Sequence, residues 1–224
     1  MKRPDLLRGE RLPAKPVQKR SIENGERLKE AALVLFGELG YERTSIGAIA
    51  QKARLATGGF YLHFRSKRQL LLVLMDELLE GLSRLELKPT EAGKRAGDVP
   101  RALRGMLAIA FSHDLRYLGA CRAWQEAALA DRDLQKKQEE IHAWSTARTL
   151  RLLKLLQSLP GARRDVDMTG VAAAIDRFFW SLLAQASGFS RAQLGRQIDA
   201  ATHLIYHAMF VDTRASTAQL RSQG

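Results

Sequence analysis

An all-α protein follows from three features of the chain. Apolar residues recur at helical spacing in segment after segment. No stretch alternates convincingly with period two. Glycines and prolines punctuate the ends of the helical stretches, and no hairpin dipeptide stands between alternating ones. The helices group into a small basic unit and a larger helical unit.

Residues 1–20 show no periodicity, three prolines and seven Lys/Arg, which predicts a disordered basic arm. From Leu28 the residues Leu28, Ala31, Ala32, Leu35, Phe36 and Leu39 share one helical face, and Gly40 supplies the stop. A short second helix starts at Thr44 or Ser45, either of which can cap it, and carries Ile46, Ile49, Ala50 and Ala53 on one face. A third runs through "LATGGFYLHF", residues 55–64, with Phe60 and Phe64 four apart. Ser66-Lys67-Arg68-Gln69 reads as a capping box that opens a long helix to about Leu87. Beyond the polar stretch Lys88–Asp98, helices are expected over Pro100–His113, Asp114–Ala130, Asp131–Leu159, Asp167–Gly188 and Arg191–Asp212. The expected division is a disordered arm 1–20, a three-helix unit 21–65, a larger helical unit 66–213 and a disordered tail 214–224.

With 224 residues and 46% apolar content, the chain can fill a sizeable core. Its one cysteine, Cys121, leaves no intrachain disulfide and no paired-cysteine zinc site. The longest apolar run, Leu70–Met75, is far short of a membrane span, and the first residues lack the pattern of a signal peptide, so a cytoplasmic protein is expected. The net charge of +12 is uneven: residues 1–68 hold 15 Lys+Arg against 7 Asp+Glu, and residues 69–224 hold 21 against 17. That concentration suits either a polyanion such as nucleic acid or a merely solvated basic surface.

Three short helices with a tight connection between the second and third match a helix-turn-helix, in which the third helix enters the major groove. Close crossing needs a small residue on the second helix, and Ala50 stands there. The residues Leu33-Val34-Leu35-Phe36, Gly40-Tyr41, Thr44-Ser45-Ile46, Ile49-Ala50, Ala53, Gly58, Phe60-Tyr61, His63-Phe64 and Ser66-Lys67, in that order and followed by a leucine-rich helix, resemble the DNA-binding domain of the TetR family of transcriptional regulators. The resemblance covers about residues 25–75. It implies a homodimer formed by the last two helices on a near-palindromic operator. It also implies a ligand cavity in a larger ligand-binding and dimerisation domain, with repression relieved by a small, largely apolar molecule and no enzyme activity, cofactor or metal. By the same resemblance Tyr61, His63 and Lys67 contact phosphates, as does the start of the second helix at Thr44 or Ser45. Three positions depart from the family pattern. Arg54 replaces the turn glycine, Ala56 the serine cap, with Thr57 able to cap instead, and Gly59 a hydroxyl residue.

Base readout needs donors, acceptors or methyl groups at the front of the helix, where Thr57, Gly58, Gly59 and Leu62 stand, with Arg54 nearby in the turn. Arg3, Arg8, Arg11, Lys15, Lys19 and Arg20 could follow the backbone or enter a minor groove. The pocket candidates are Met106, Phe111, Trp124, Trp144 and Phe178, which serve equally as plain core. His203 and His207, one turn apart, suit a structural role at the interface better than a metal, since no third ligand is visible. An activator or architectural DNA binder, a small-molecule-binding protein with weakened DNA binding, and an all-α enzyme with a metal at those histidines are the alternatives.

Overall fold

The computed structural model describes residues 2–13, 18–84, 99–185 and 189–210, and for residues 106, 110–114, 184–185 and 191 the backbone alone. The expectations for Lys15, for the stretch 88–98 and for the tail 214–224 lie outside the described residues. Nine α-helices occupy the described residues: α1 Lys19–Leu39, α2 Ile46–Lys52, α3 Thr57–Tyr61, α4 Lys67–Arg84, α5 Val99–Asp114, α6 Leu118–Ala128, α7 Arg132–Gln157, α8 Met168–Gln185 and α9 Arg191–Met209. A 3-10 turn, Leu115–Tyr117, joins α5 to α6. The described residues contain no strand, only an isolated bridge between Ala162 and Phe210.

Local chemistry accounts for most boundaries. Gly40 ends α1 at φ 83°, a left-handed value suited to glycine, and its N–H reaches the Phe36 carbonyl. Asp131 caps α7 by accepting from the N–H groups of Asp133 and Leu134, and Ser190 with Gln193 forms a capping box at α9 that periodicity did not signal. At α4 the expected box is altered. The Gln69 N–H donates to Ser66 Oγ at 3.0 Å, but Gln69 Oε1 accepts from the N–H of Arg65 rather than of Ser66. Helix α1 starts at Lys19, before the apolar pattern does, because its first turns are polar and lie mostly in solvent.

Residues 2–13 correct the expectation of a disordered basic arm. Leu6 is fully buried in the main core, Arg3 pairs with Asp76 at 2.5 Å and Glu80 at 3.2 Å, and Glu10 pairs with Arg68 at 2.7 Å. One leucine and two alternating charges make no period, so composition concealed a segment that tertiary contacts hold on α4. Arg68 also binds Asp131 at 2.7 Å and Asp133, so a single guanidinium ties the arm and α4 to the start of α7.

The small unit is built into the larger one. One apolar core runs from Leu28, Ala32 and Phe36 through Leu70, Leu74 and Leu78 to Trp124, Trp144 and Leu183. Helix α1 packs against α6 at Gly119, where a Cβ would sit 1.9 Å from the Leu33 carbonyl oxygen, so only glycine fits that crossing. A second cluster, with Val99, Leu103, Leu153, Met168, Ile205 and Met209, joins α5, α7, α8 and α9.

Candidate nucleic-acid interface

The front of the small unit is assembled from an apolar anchor and a set of exposed groups. Phe60 is fully buried, edge-on to Tyr61 at 5.6 Å between ring centroids and tilted against Phe64 at 5.7 Å. Ala50 and Ile49 are equally buried beneath it, and the Ala50 carbonyl accepts the Leu55 N–H at 2.9 Å. Burying a phenylalanine contributes about 1.5–3 kcal/mol, enough to seat a helix of five residues that would not hold by itself. Tyr61 and Leu62 remain 52% and 73% exposed.

Arg54 takes the left-handed conformation, φ 57°, that the turn imposes, at a cost of about 1–2 kcal/mol relative to an unstrained residue. Its side chain is exposed, and with Lys52 and Arg27 of α1 it lines one shallow groove. Lys52 and Arg27 were not singled out in the sequence, although Lys52 stands two residues before the turn. Ser45 caps α2 by accepting the Ala48 N–H at 3.1 Å and is exposed.

Two expectations are corrected here. Thr44 has no exposure: its hydroxyl donates inward, 2.7 Å from the Gly40 carbonyl, so its side chain cannot meet a phosphate. Thr57 is the first residue of α3 rather than its cap, and Ala56 takes the cap position with no side-chain bond. The first N–H groups of α3 therefore lack a side-chain partner.

The two glycines differ from Gly119 of α6. A Cβ built at Gly58 meets nothing within 4 Å, and one at Gly59 makes only ordinary contact with Leu55 Cβ at 3.6 Å. Neither is required by the chain's own packing. His63 lies half-buried against Gly25 of α1, and burial lowers the pKa of its ring, favouring the neutral form. The Lys67 ammonium donates to the Tyr41 carbonyl at 2.6 Å and lies 4.1 Å from the Tyr41 ring centroid. Burial lowers its pKa, against the pull of Glu42 and Glu126. With a longer bond to the Glu42 carbonyl at 3.5 Å, Lys67 thus braces the loop between α1 and α2.

Comparison with known proteins addresses this same segment. Residues 28–74 match the family model of bacterial regulatory proteins, tetR family. Among curated relatives, the A-factor receptor protein of Streptomyces griseus is 35% identical over 60 residues, 27% of this chain and 22% of that protein. The Tn10 TetC protein of Escherichia coli is 48% identical over 44 residues, 20% of this chain and 22% of that protein. Residues 28–74 are thus similar to the N-terminal segment of TetR-family regulators. The chain matches less than a third of the length of these curated relatives. Over a longer span, the structure of a SmeT–triclosan complex superposes with a TM-score of 0.61 at 21% identity, covering 85% of this chain and 93% of that one. At that identity the likeness is one of fold.

The second site that the TetR resemblance implies is a cavity in the larger domain, and one of about 130 Å³ lies among α4, α5, α7, α8 and α9. Trp144 lines it. Two others do not: Trp124 is 1% exposed in the core with its N–H on Gln138, and Phe178 is 46% exposed on an outer apolar depression beside Leu204. The side chains of Met106 and Phe111 lie outside the described residues. Trp124 and Phe178 fail for one reason: periodicity marks an apolar face without saying whether that face meets core, cavity or solvent.

What residue patterns missed is the polar wall of the cavity. Asp176, buried on α8, accepts from the Ser145 hydroxyl and from His142 Nδ1 at 2.6 Å. His142 Nε2 lies 2.6 Å from the Gln138 amide nitrogen, whose oxygen holds the Trp124 N–H. One set of donors satisfies the whole chain: Trp124 to Gln138, Gln138 to His142 Nε2, and His142 Nδ1–H to Asp176. A lone acid in the apolar run Val171–Leu183 was the available signal. His203 and His207 have ring centroids 4.1 Å apart, and no group of three metal-ligating side chains occurs among the described residues.

Proposed function

We propose that the chain is a DNA-binding transcriptional regulator that works in the cytoplasm as a homodimer on a near-palindromic operator, as a repressor released by a small, largely apolar ligand. The observation that carries this reading is the exposed set Ser45, Arg54, Thr57, Tyr61 and Leu62 around a helix anchored by Phe60, within residues 28–74 of the TetR-family match. Thr57 and Leu62 would face base edges, while Ser45, Tyr61, His63 and Lys67 position the helix through phosphates. Phe178 and Leu204, exposed beside one apolar depression between α8 and α9, support a dimer through those helices. No described helix is long and apolar enough to cross a membrane. The solved relative in complex with triclosan supports a small-molecule role for the cavity.

Selection of duplexes from a genomic library at low salt is the test. The protein should retain a two-fold-symmetric sequence, with affinity falling steeply as salt rises. Retention of no duplex would overturn DNA binding and leave a small-molecule-binding protein.

A further inference from the structure

The lining of the cavity is chemically selective beyond being apolar. Leucine, isoleucine, phenylalanine and tryptophan side chains supply most of it, and the polar exceptions are Ser145, Arg148 and Thr149 on α7 and Asp176 on α8. Its volume of about 130 Å³ compares with the roughly 150 Å³ of an apolar cavity that takes one benzene. One ring, or an aliphatic body of that size, fits.

Charge decides the rest. An ionic ligand of either sign meets one like charge in this lining as well as one opposite charge: Asp176 opposes a carboxylate and Arg148 opposes an ammonium. A neutral ligand meets neither penalty. The Asp176 carboxylate has about four lone-pair positions, of which His142 and Ser145 occupy two, so it can accept a further hydrogen bond. The Arg148 guanidinium, stacked 5.0 Å from the Trp144 ring centroid, and the Thr149 hydroxyl are donors on the same wall. A hydroxyl is the smallest common neutral group that serves both as donor and as acceptor.

We propose that the cavity binds a neutral hydroxyl-bearing molecule with a single-ring apolar body, a phenol or an alcohol of that size, whose O–H donates to Asp176. The proposal rests on the reading of this cavity as the ligand site and adds the chemical class of the ligand. The chain Trp124–Gln138–His142–Asp176 serves as a positioning device that holds the carboxylate in place from α6, α7 and α8.

Trp144 and Trp180 line the cavity, so tryptophan fluorescence of the full chain reports occupancy. Four probes of nearly equal shape separate the possibilities: p-cresol, 4-methylanisole, 4-methylbenzoate and 4-methylbenzylammonium. Binding of p-cresol at least tenfold tighter than each of the others is the expected result. Binding of 4-methylanisole within tenfold of p-cresol shows that the O–H is not read and overturns the proposal. So does a preference for the benzoate or the ammonium, or no binding of p-cresol. Asp176→Asn should reduce p-cresol's lead over the anisole to less than threefold, and the comparison on the unaltered protein decides alone if that variant does not fold. Duplex retention is read separately. If DNA is bound but p-cresol is not, the ligand class fails while the regulator stands; if p-cresol binds without releasing DNA, the ligand class stands and release by that ligand fails.

Discussion

Helix α3 and the seam between α7 and α8 treat polar groups in opposite ways. Around α3 the side chains of Ser45, Arg54, Thr57 and Tyr61 are exposed, the anchoring is apolar, and the first N–H groups have no side-chain cap. At the seam, Asp176, Ser145, His142 and Gln138 are turned toward one another and satisfied within the protein. The contrast suits two kinds of partner. A polyanion supplies its own hydrogen-bond acceptors and can be met by an open, solvated face. A small neutral molecule must be chosen by a few fixed groups in a mostly apolar cavity, and those groups are held before it arrives.

The largest expected effect removes the anchor of the open side. Phe60→Ala empties a fully buried ring site and should cost about 3–5 kcal/mol of stability, read as a fall in the urea midpoint, with loss of duplex binding. Gly119→Ala forces a Cβ into the Leu33 carbonyl and should cost about 3 kcal/mol by prising α1 from α6; an unchanged midpoint would show that this crossing does not join the two regions.

Much of the small unit is legible in the sequence because its signals are local. The Gly40 stop, the Ser45 cap and the small Ala50 each depend on residues within a turn or two. What escaped depends on partners far along the chain. Leu6 and Arg3 are ordered by α4 some seventy positions away, Thr44 is drawn inward by the carbonyls of Leu35 and Gly40, and Asp176 acquires its role only where α8 meets α7. Among the pocket candidates with described side chains, Trp144 is at the cavity while Trp124 and Phe178 are not, since an apolar face has several possible neighbours.

Smaller substitutions sharpen the comparison at α3. Gly58→Ala fits without contact and should stabilise the helix by about 0.5–1 kcal/mol, yet weaken duplex affinity if the bare backbone is there to approach the groove. A more stable variant with undiminished affinity would refute that purpose for the glycine. His63 offers a pH test. Burial keeps its folded pKa below the unfolded value, so its contribution to stability declines as pH falls below the ordinary histidine range. A neighbouring phosphate favours the protonated ring. Duplex affinity should therefore rise modestly as pH drops from 7 to 6, and His63→Gln should flatten that rise.

The central claim is that the exposed groups around α3 meet DNA, and the most direct test is a fluorescence-anisotropy titration of the selected duplex with the unaltered protein and with Tyr61→Phe. This variant removes one exposed hydroxyl and leaves the edge contact with Phe60. The account predicts about tenfold weaker binding at an unchanged melting temperature, the size of one lost hydrogen bond to a charged phosphate. Equal affinity for the two proteins would contradict it.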